Sequence, residues 1–446
     1  MEPVLMGTLG LGLSLVLILL RVPIAFALGA MAVSCIYAFF AFPAAGGMQL
    51  QGAIAPALTL VTNTYFGLFH SYDLTAVPLF IALGHICYRA GITSDIYFAA
   101  RTWLTRVPGG LAVASILGCC GFSAISGSSV ACAATMGRIA VPEMRKYGYS
   151  DRLASGAVAA GGTLGALIPP SLLFILYGIF AEQSISRLFL AGVVPGIISM
   201  LSYCLVVAIW ATWNPASAPP ATEQYSLRDR MVAAARSWPA VLILVIIIGG
   251  IYGGYFTATE AAAVTFFIAL FISAVGRRIT MADFIEAMRE TAVQSAAIFV
   301  IAGAAKVFVT FVSLTGVATW LVDLVQQADL STVWLILAIV LVYLVLGMFL
   351  DPLGIMLLTL PFTIPLVESH GFNLIWFGVI VVKLLEMGLI TPPVGLNVFV
   401  LNSVVTPKIP VERMFVGVAP FFLMDLVVLA LLLVFPALSL WMASAI

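Results

Sequence analysis

Two proline pairs, each inside an apolar run, are the first residues in this sequence from which chemistry can be expected. One pair lies in the stretch GALIPPS at Gly165–Ser171, and the other lies in GLITPPV at Gly388–Val394. A proline pair removes two backbone donors and breaks a helix. In hydrocarbon, unpaired backbone is tolerated only where it is buried in protein or lines a cavity. The two breaks therefore predict sites where a solute and ions bind near the middle of a membrane.

Each proline pair is preceded by an apolar segment that is too interrupted to cross a bilayer cleanly. The first segment covers about residues 110–145, with the polar sequence SAISGSS at Ser123–Ser129 near its centre. The second covers about residues 332–367, with GMFLDP at Gly347–Pro352. Both predict re-entrant helical hairpins whose turns lie at membrane depth, and two ordinary spans with a short loop remain the alternative. The broken helices that follow are expected at about residues 152–181 and 373–404.

Sodium is the ion that such elements suit, because unwound backbone carbonyls beside hydroxyls supply several oxygen ligands without a full buried charge. The candidates for a first sodium site are Ser126, Gly127, Ser128, Gly162, Thr163 and Gly165. The candidates for a second site are Gly347, Asp351, Gly388, Thr391 and Pro392. Glycine and serine also serve close helix packing in lipid. Packing is therefore the alternative role for each of these residues.

An anionic solute needs positive half-helix ends or a cation. Lys306 stands in an apolar run at residues 296–312, and a charge at that depth indicates a function by default. It could pair with Asp351, contact the solute or extend to an interface. Asp351 itself either meets a cation or caps the helix that begins at Pro352. The candidate solute-binding residues are Ser128, Lys306 and Asp351.

Other charged residues receive structural interpretations. Lys383 and Glu386 are three positions apart on one helix, so an internal ion pair explains them. Glu260 could relay protons, but the sequence Thr257–Glu260 is typical of a capping box at a helix start. An interfacial, solvated cluster is expected at the end of the first hairpin, formed by Arg138, Glu143, Arg145, Lys146 and Asp151.

The composition places these elements in a membrane. Of the 446 residues, 63% are hydrophobic and 9% are charged, whereas a soluble domain is nearer about 25% charged. Apolar runs of the length that a bilayer span requires recur from Val4 to Trp441. The formal net charge is zero and no basic stripe is present, which excludes nucleic-acid binding. The six cysteines and three histidines lack metal-ligand spacing and are interpreted as packing residues.

Charges near the apolar runs predict how the chain is oriented. The first run, Val4–Leu20, has Glu2 before it and Arg21 after it, which is the reverse of a secretory signal. We therefore expect a first span with the N-terminus outside. The longest polar stretch, Asn214–Arg236, is expected to be a cytoplasmic linker because of its arginines.

An internal repeat divides the chain at that linker. A shift of 223 positions places Pro142 on Pro365 (365 − 142 = 223), Gly165 on Gly388 and the first proline pair on the second. The predicted units are residues 1–223 and 224–446. Because the first enters from outside and the second follows a cytoplasmic linker, their orientations are opposite. That is the inverted-repeat plan of secondary transporters.

The same stretches resemble the large membrane subunit of the tripartite ATP-independent periplasmic (TRAP) transporters. The resemblance rests on six segments in order along nearly the whole chain: VPLFIALGHICYRAGI (77–92), ISGSSVACAATMGRIAVPEMRKYGY (125–149), AAGGTLGALIPPSLLFILYG (159–178), SISRLFLAGVVPGI (184–197), GGYFTATEAAAV (253–264) and GLITPPVGLNVFVLN (388–402). Two positions depart from the family: His85 stands where a glutamate is frequent, and Ala258 where a proline is common. Both lie outside the hairpin tips, so we expect them to affect local packing.

The resemblance implies a function and a set of partners. It implies sodium-driven uptake of an organic acid across the bacterial inner membrane, with Na⁺ as the coupling ion. A soluble periplasmic binding protein would deliver the carboxylate, and a separate four-helix membrane subunit would complete the complex in the bilayer. The implied fold is an all-α, elevator-type transporter with a scaffold, arm-like helices and a mobile unit that contains both hairpins and both broken helices.

Three alternatives remain beside this prediction. An intramembrane protease is disfavoured because no Ser-Lys or Ser-His pair occurs at motif spacing. A channel could use re-entrant hairpins, but paired hairpins with paired broken helices favour alternating access. The nearest alternative is a stand-alone sodium/dicarboxylate carrier of related architecture.

Overall fold

Helices form wherever the sequence carries long apolar runs, because a helix satisfies its backbone groups internally. The computed structural model describes residues 2–43, 47–219, 225–328 and 331–444. Within these ranges the regular structure is entirely helical. The predicted all-α polytopic fold is confirmed. Residues 223 and 224, where the boundary between the two units is predicted, lie outside the described residues.

The helices of the first half are α1 Pro3–Leu19, α2 Ile24–Ala41, α3 Ile54–Phe69, α4 Ala76–Arg89, α5 Ile92–Leu104, α6 Gly110–Ser126, α7 Ser129–Lys146, α8 Asp151–Thr163, α9 Leu172–Phe180 and α10 Ile185–Trp213. Those of the second half are α11 Leu227–Arg236, α12 Trp238–Tyr252, α13 Ala258–Val275, α14 Met281–Thr315, α15 Val317–Gln327, α16 Thr332–Gly347, α17 Pro352–Ser369, α18 Leu374–Gly388, α19 Leu396–Val404, α20 Val411–Val434 and α21 Ala437–Ala443. Short 3₁₀ turns occupy Tyr72–Thr75, Leu164–Ala166 and Pro215–Ser217.

Several helices are long and apolar enough to cross a membrane. In the described part of the chain, six meet this test alone, namely α2, α10, α13, α14, α17 and α20. The pairs α3–α4 and α11–α12 meet it together, with bends of 58° and 48°. The first predicted span forms α1, a 17-residue apolar helix that exposes Leu5, Leu9 and Leu13 on one side. Such exposed leucines are suited to lipid rather than water.

Both predicted hairpins are pairs of helices joined by a short turn. In the first, α6 ends at Gly127 in the left-handed conformation, and the hydroxyl of Ser128 caps α7 by accepting a 3.3 Å hydrogen bond from the Ala131 amide. In the second, α16 is followed by Asp351, whose Oδ2 accepts a 3.1 Å hydrogen bond from the Gly354 amide. The capping role considered for Asp351 is therefore present. The membrane depth of the two turns stays a prediction.

Both proline pairs break their helices as expected. After α8, one 3₁₀ turn and an irregular segment precede α9, which begins when the Ser171 hydroxyl accepts a hydrogen bond from the Phe174 amide. After α18, the chain is irregular until Gly395, whose φ of 53° precedes α19. The breaks leave helix ends inside the protein, and these ends need partners.

The spacing of 223 positions extends from single residues to whole helices. Shifted by that spacing, α7 coincides with α17 at both ends (352 − 129 = 223 and 369 − 146 = 223). The N-cap residues Ser150 of α8 and Asn373 of α18 show the same spacing (373 − 150 = 223). The inverted orientation of the two halves stays a prediction.

The first broken helix packs closely on α20 through two glycines. A Cβ atom at Gly156 would collide with the backbone carbonyl of Gly417, and a Cβ at Gly417 would collide with the carbonyl of Arg152. Backbone cannot move aside as a flexible side chain can. The absence of side chains at these two positions therefore allows α8 and α20 to approach one another.

Replacing Gly417 by alanine should lower the melting temperature of the purified protein in detergent, because overpacking a close contact costs about 1–3 kcal/mol. The matched control is Gly12→Ala on α1, where a Cβ would meet nothing within 4 Å. Alanine is favoured over glycine in a helix by about 1 kcal/mol, so this control should be neutral or stabilising. An unchanged melting temperature for Gly417→Ala would contradict the close packing of α8 on α20.

Candidate functional site

The tip of the first hairpin lies directly on the first helix break. A Cβ at Gly127 would lie 2.7 Å from the carbonyl oxygen of Pro170. A Cβ at Gly165 would lie 3.0 Å from the Ser123 hydroxyl, and one at Gly162 would lie 3.2 Å from the carbonyl oxygen of Ser129. A side chain at Gly127 would therefore collide with the Pro170 backbone, and Gly162 and Gly165 leave little room for one.

The first predicted sodium site is therefore brought together in part. Ser126 and Ser128 flank Gly127 at the tip, and Gly162 and Gly165 face the tip from the broken helix. The hydroxyl of Thr163 lies elsewhere, because it donates to the Ala160 carbonyl at 2.7 Å and lies 3.0 Å from the Tyr203 hydroxyl. Its assignment as a sodium ligand stays a prediction.

Three buried oxygens around this contact have no hydrogen-bond partner within the described residues. They are the hydroxyls of Ser123 and Ser126 and the side-chain carbonyl of Asn397. Ser123 and Asn397 are 0% exposed, and Ser126 is 9% exposed. Burying an oxygen without a partner costs about 1–3 kcal/mol. Neutral oxygens beside unwound backbone fit a sodium ion, which would supply the missing partner.

The second hairpin tip meets the second break in the same way. A Cβ at Gly388 would lie 2.7 Å from the Cα of Gly347, so these two predicted site residues are in backbone contact. The Val394 amide donates to the carbonyl of Met348 at the tip, at 3.3 Å. The Thr391 hydroxyl donates to the Met387 carbonyl at 2.6 Å.

The two breaks differ in their exposure. Pro169 and Pro170 are buried, whereas Pro392 and Pro393 are exposed in this single chain. Asp351, at the second tip, is partly buried. The first break is therefore covered by this chain's own helices, while the second lies open at the surface of the chain.

Lys306 is not paired with Asp351. Its ammonium lies 5.8 Å from the centre of the Phe180 ring, at the end of α9, and it makes no ion pair with any residue that the structure describes. Of the three roles that the sequence leaves open for Lys306, pairing with Asp351 is therefore not observed. A contact with the solute and an extension toward an interface remain as roles for Lys306.

The predicted ion pair between Lys383 and Glu386 is also wrong. The ammonium of Lys383 instead pairs with Asp425 on α20 and donates to the Ser199 hydroxyl at 3.2 Å. Tyr203 donates to the other carboxylate oxygen of Asp425 at 2.6 Å. Lys383 and Asp425 are each 1% exposed, and buried charges require such partners. The partners of Lys383 therefore lie on the neighbouring helices α20 and α10 rather than on α18 itself.

Glu386 connects the two halves of the chain. Its two carboxylate oxygens lie 2.8 and 2.7 Å from the hydroxyl of Ser129, which donates from the start of α7. Glu386 is 2% exposed and lies on α18, the second broken helix. The first hairpin is thereby hydrogen-bonded to the broken helix of the other half.

The remaining charged residues follow the sequence expectations in part. The capping box is confirmed, because Glu260 accepts from the Thr257 amide at 2.8 Å and the Thr257 hydroxyl accepts from the Glu260 amide. Arg145 pairs with Asp151 at 2.7 Å. Glu143 pairs with Arg101 at 2.8 Å, and its side chain is only 17% exposed. The cluster expected at the hairpin end is therefore more paired and more buried than predicted.

Arg138 lies apart from that cluster, on the wall of a cavity of about 240 Å³. The cavity lies between the first hairpin, α4 and α14 and is lined by polar side chains that include His85, Ser126, Ser128, Arg138 and Gln294. His85 contacts Glu290 through Nδ1 and Gln294 through Nε2, each at 3.2 Å. His85, where the chain departs from the family pattern, therefore lines this cavity beside the hairpin tip, whereas the sequence predicted an effect on local packing.

Sequence reasoning missed several of these residues, although two signals were present. Asp425 lies in the middle of the apolar part of α20, away from the charged residues of its first turn, and a charge at such a position indicates a function or a buried partner. Arg138 follows Ala131, Ala134 and Thr135 at helical spacing, which places all four on one face of α7. The partners Tyr203 and Ser129 carried no comparable signal, because hydroxyls recur throughout the apolar runs.

The paired hairpins and broken helices in an apolar, all-helical chain define a membrane transporter of many spans. The chain also matches the family model described as "Tripartite ATP-independent periplasmic transporter, DctM component" over residues 11–438. It belongs to that family of TRAP transporters. It is accordingly a multi-pass protein of the bacterial inner membrane, and its relatives are transport permeases rather than enzymes.

Several relatives align with most of this chain. It is 35% identical to the C4-dicarboxylate TRAP transporter large permease protein of Pseudomonas aeruginosa, covering 83% of this chain and 86% of the relative. It is 32% identical to the sialic acid large permease protein of Vibrio cholerae, covering 87% and 92%. An isethionate permease of Oleidesulfovibrio alaskensis is 32% identical over 99% of this chain, which spans 66% of that relative's length.

A solved structure supports the fold alone. The YdaH transporter of Alcanivorax borkumensis aligns with 100% of this chain and 99% of its own, with a TM-score of 0.63. The sequence identity is 14%, so this likeness concerns architecture and not substrate.

The buried pair should show strong coupling in a double-mutant cycle. Asp425→Asn alone leaves the Lys383 charge uncompensated, and breaking a buried pair costs about 3–5 kcal/mol. Adding Lys383→Gln should recover part of the lost thermal stability, as measured by melting of the purified protein in detergent. The control pair is Glu286 with Arg289, exposed on α14, for which Glu286→Gln should have little effect. Simple additivity of the Asp425 and Lys383 effects would contradict a paired charge.

Proposed function

We propose that this protein carries a small organic acid into the bacterial cell, driven by a sodium gradient. The proposal is supported by the names of its relatives, which include permeases for C4-dicarboxylates and sialic acid. The single observation that carries the sodium proposal is the set of buried oxygens on Ser123, Ser126 and Asn397 that have no partner among the described residues. They lie around the first tip and the glycines of the first broken helix, where unwound backbone adds further ligands.

The second sodium site is proposed at the second hairpin. Gly347, Gly388 and Thr391 lie around that break, and Asp351 offers a partly buried carboxylate at the tip. A carboxylate at membrane depth costs about 2.5–3.5 kcal/mol on insertion scales unless something compensates it. Since Lys306 is not its partner, a sodium ion is the cation that this proposal assigns to Asp351. Pro392 is part of the helix break and supplies no side-chain oxygen to the site.

The transport cycle is proposed to be of the elevator type, with the two halves in inverted orientation. Each half has a hairpin followed by a broken helix at matching positions, and the hydrogen bond between Ser129 and Glu386 links the hairpin of one half to the broken helix of the other. Such a link suits a unit in which both hairpins and both broken helices move together.

The proposed partners are a periplasmic binding protein that delivers the solute and a small four-helix membrane subunit. The family description, a tripartite periplasmic transporter, supports both. The competing function is a stand-alone sodium/dicarboxylate carrier of related architecture.

Reconstituted uptake separates these functions. Proteoliposomes with this chain and the small subunit encoded with it are supplied with a defined mixture of small carboxylates and sulfonates, and the imported solutes are identified by mass spectrometry. We expect uptake that requires both an inward sodium gradient and the binding protein encoded with them. Equal uptake with a potassium gradient would contradict sodium coupling. Uptake without the binding protein would support the stand-alone carrier.

Removing the unpartnered hydroxyl of Ser123 should weaken sodium coupling without harming the fold. Ser123→Ala deletes an oxygen that bonds to no described protein group, so the melting temperature without sodium should be unchanged or raised. The sodium concentration for half-maximal uptake should rise by roughly tenfold, as expected for loss of one bond to a charged group. Ser403→Ala, at an exposed hydroxyl on α19, is the matched control. An unchanged sodium dependence would leave Ser123 a packing residue.

Replacing Asp351 by asparagine tests whether its charge is needed. Asparagine caps a helix about as well as aspartate, so α17 should keep its start. A role in sodium or solute binding predicts a severe loss of uptake in a variant that still folds and inserts. The fold is checked by the size-exclusion profile of the purified variant. Near-normal uptake by a well-folded Asp351→Asn protein would reduce this residue to a helix cap.

A further inference from the structure

One face of α7 forms a wall of the cavity beside the first hairpin. The residues on this face are Ala131, Ala134, Thr135 and Arg138, at the spacing that places them in a line along a helix. The first three have short side chains that leave room. Arg138 lies at the end of this line that is farthest from the hairpin tip. The cavity is therefore open beside the three short side chains and is bordered at one end by the Arg138 side chain.

Arg138 is a cation without a partner in the described part of the chain. Its guanidinium makes no hydrogen bond or ion pair with any of the described residues, and it is solvent-exposed. The neighbouring arginines of the same region differ, since Arg145 pairs with Asp151 and Arg101 pairs with Glu143. A guanidinium presents a rigid fork of donors that matches a carboxylate or another oxyanion.

Glu290, a carboxylate on the cavity wall, already has protein partners. Glu290 accepts from Arg89 at 2.9 Å and contacts His85 at 3.2 Å. Arg89 also lies 3.8 Å from Asp283, at the first turn of α14. Within the described residues, Arg138 pairs with neither of these carboxylates, so the positive potential of its guanidinium stays available to an anion in the cavity.

The N-terminal end of α7 adds to that potential. Ser128 and Ala131, at the first turn of this 18-residue helix, line the same cavity. The N-terminal end of a helix carries a partial positive charge that favours anions. An anion in the cavity would therefore lie between the helix end and the guanidinium.

We propose that Arg138 binds an anionic group of the transported solute and thereby sets this protein's preference for small oxyanions. The solute would lie along the short side chains of α7, with its polar remainder toward His85 and Gln294. A cavity of about 240 Å³ is smaller than the roughly 300–1,000 Å³ of sites for drug-sized ligands, so the solute is small. This inference deepens the proposed transport function and rests on it.

The charge of Arg138 is tested by uptake of the same carboxylate and sulfonate mixture into proteoliposomes. Arg138→Gln should raise the KM for imported anions by roughly ten- to hundredfold, the loss expected for one charge-assisted contact. Arg138→Lys keeps the charge but not the fork, so it should recover part of the affinity. Lys146→Gln removes a charge from the end of the same helix, outside the cavity, and should leave KM unchanged.

The space beside Arg138 is tested by filling it. Ala134→Leu should block uptake of the same anions while the protein keeps its size-exclusion profile and melting temperature, because Ala134 is only partly buried and faces the cavity. Normal uptake by this variant would show that the solute does not pass through the cavity and would overturn the proposal.

The outcomes separate this inference from the transport function itself. If the wild-type protein imports no anion from the mixture under a sodium gradient, the proposed function fails. If the wild type imports an anion and Arg138→Gln has the same KM, only the role of Arg138 fails, and its side chain merely extends to an interface. A lower maximal rate with an unchanged KM would likewise assign Arg138 to structure or movement rather than to solute binding.

Discussion

The need to satisfy backbone groups at a helix break inside a membrane governs this fold. A proline pair frees carbonyls and amides that hydrocarbon cannot solvate. Here each hairpin tip is placed on a break, so closely that a Cβ at Gly127 or in the pair Gly347–Gly388 would collide with backbone. The same approach brings hydroxyls and unwound backbone together. The packing of a hairpin tip on a broken helix therefore also produces an arrangement of oxygens that suits a cation.

Buried charges impose a second constraint, and it joins the two halves. Lys383 on α18 finds Asp425 on α20 and Ser199 on α10, while Glu386 finds Ser129 on the first hairpin. Removing any one partner would leave a charge or a donor without compensation. These contacts join the second broken helix to elements of both halves, so a shift of this helix alone would break them. Movement of the hairpins and broken helices as one unit is consistent with this arrangement.

The sequence predicted the elements better than their partners. Proline pairs and apolar runs have strong local effects, so both breaks and both hairpins lie within a few residues of their predicted bounds. Side-chain pairing depends on which helices become neighbours, which is a tertiary property. For that reason the sequence predicts Glu386 rather than Asp425 as the partner of Lys383, and it suggests Asp351 as one possible partner of Lys306. It also predicts that Arg138 belongs to a solvated cluster, whereas Arg138 lies on a cavity wall.

Binding of sodium to this chain alone is the most direct test of the account, because it requires neither partners nor a known solute. The melting temperature of the purified protein is measured as sodium chloride replaces potassium chloride at constant ionic strength. A ligand that binds only the folded state raises stability by RT ln(1 + [L]/Kd). A sodium site predicts a saturable, sodium-specific rise in the melting temperature. The same melting temperature in both salts over the whole range would contradict a sodium site built from the hairpin tips and the broken helices.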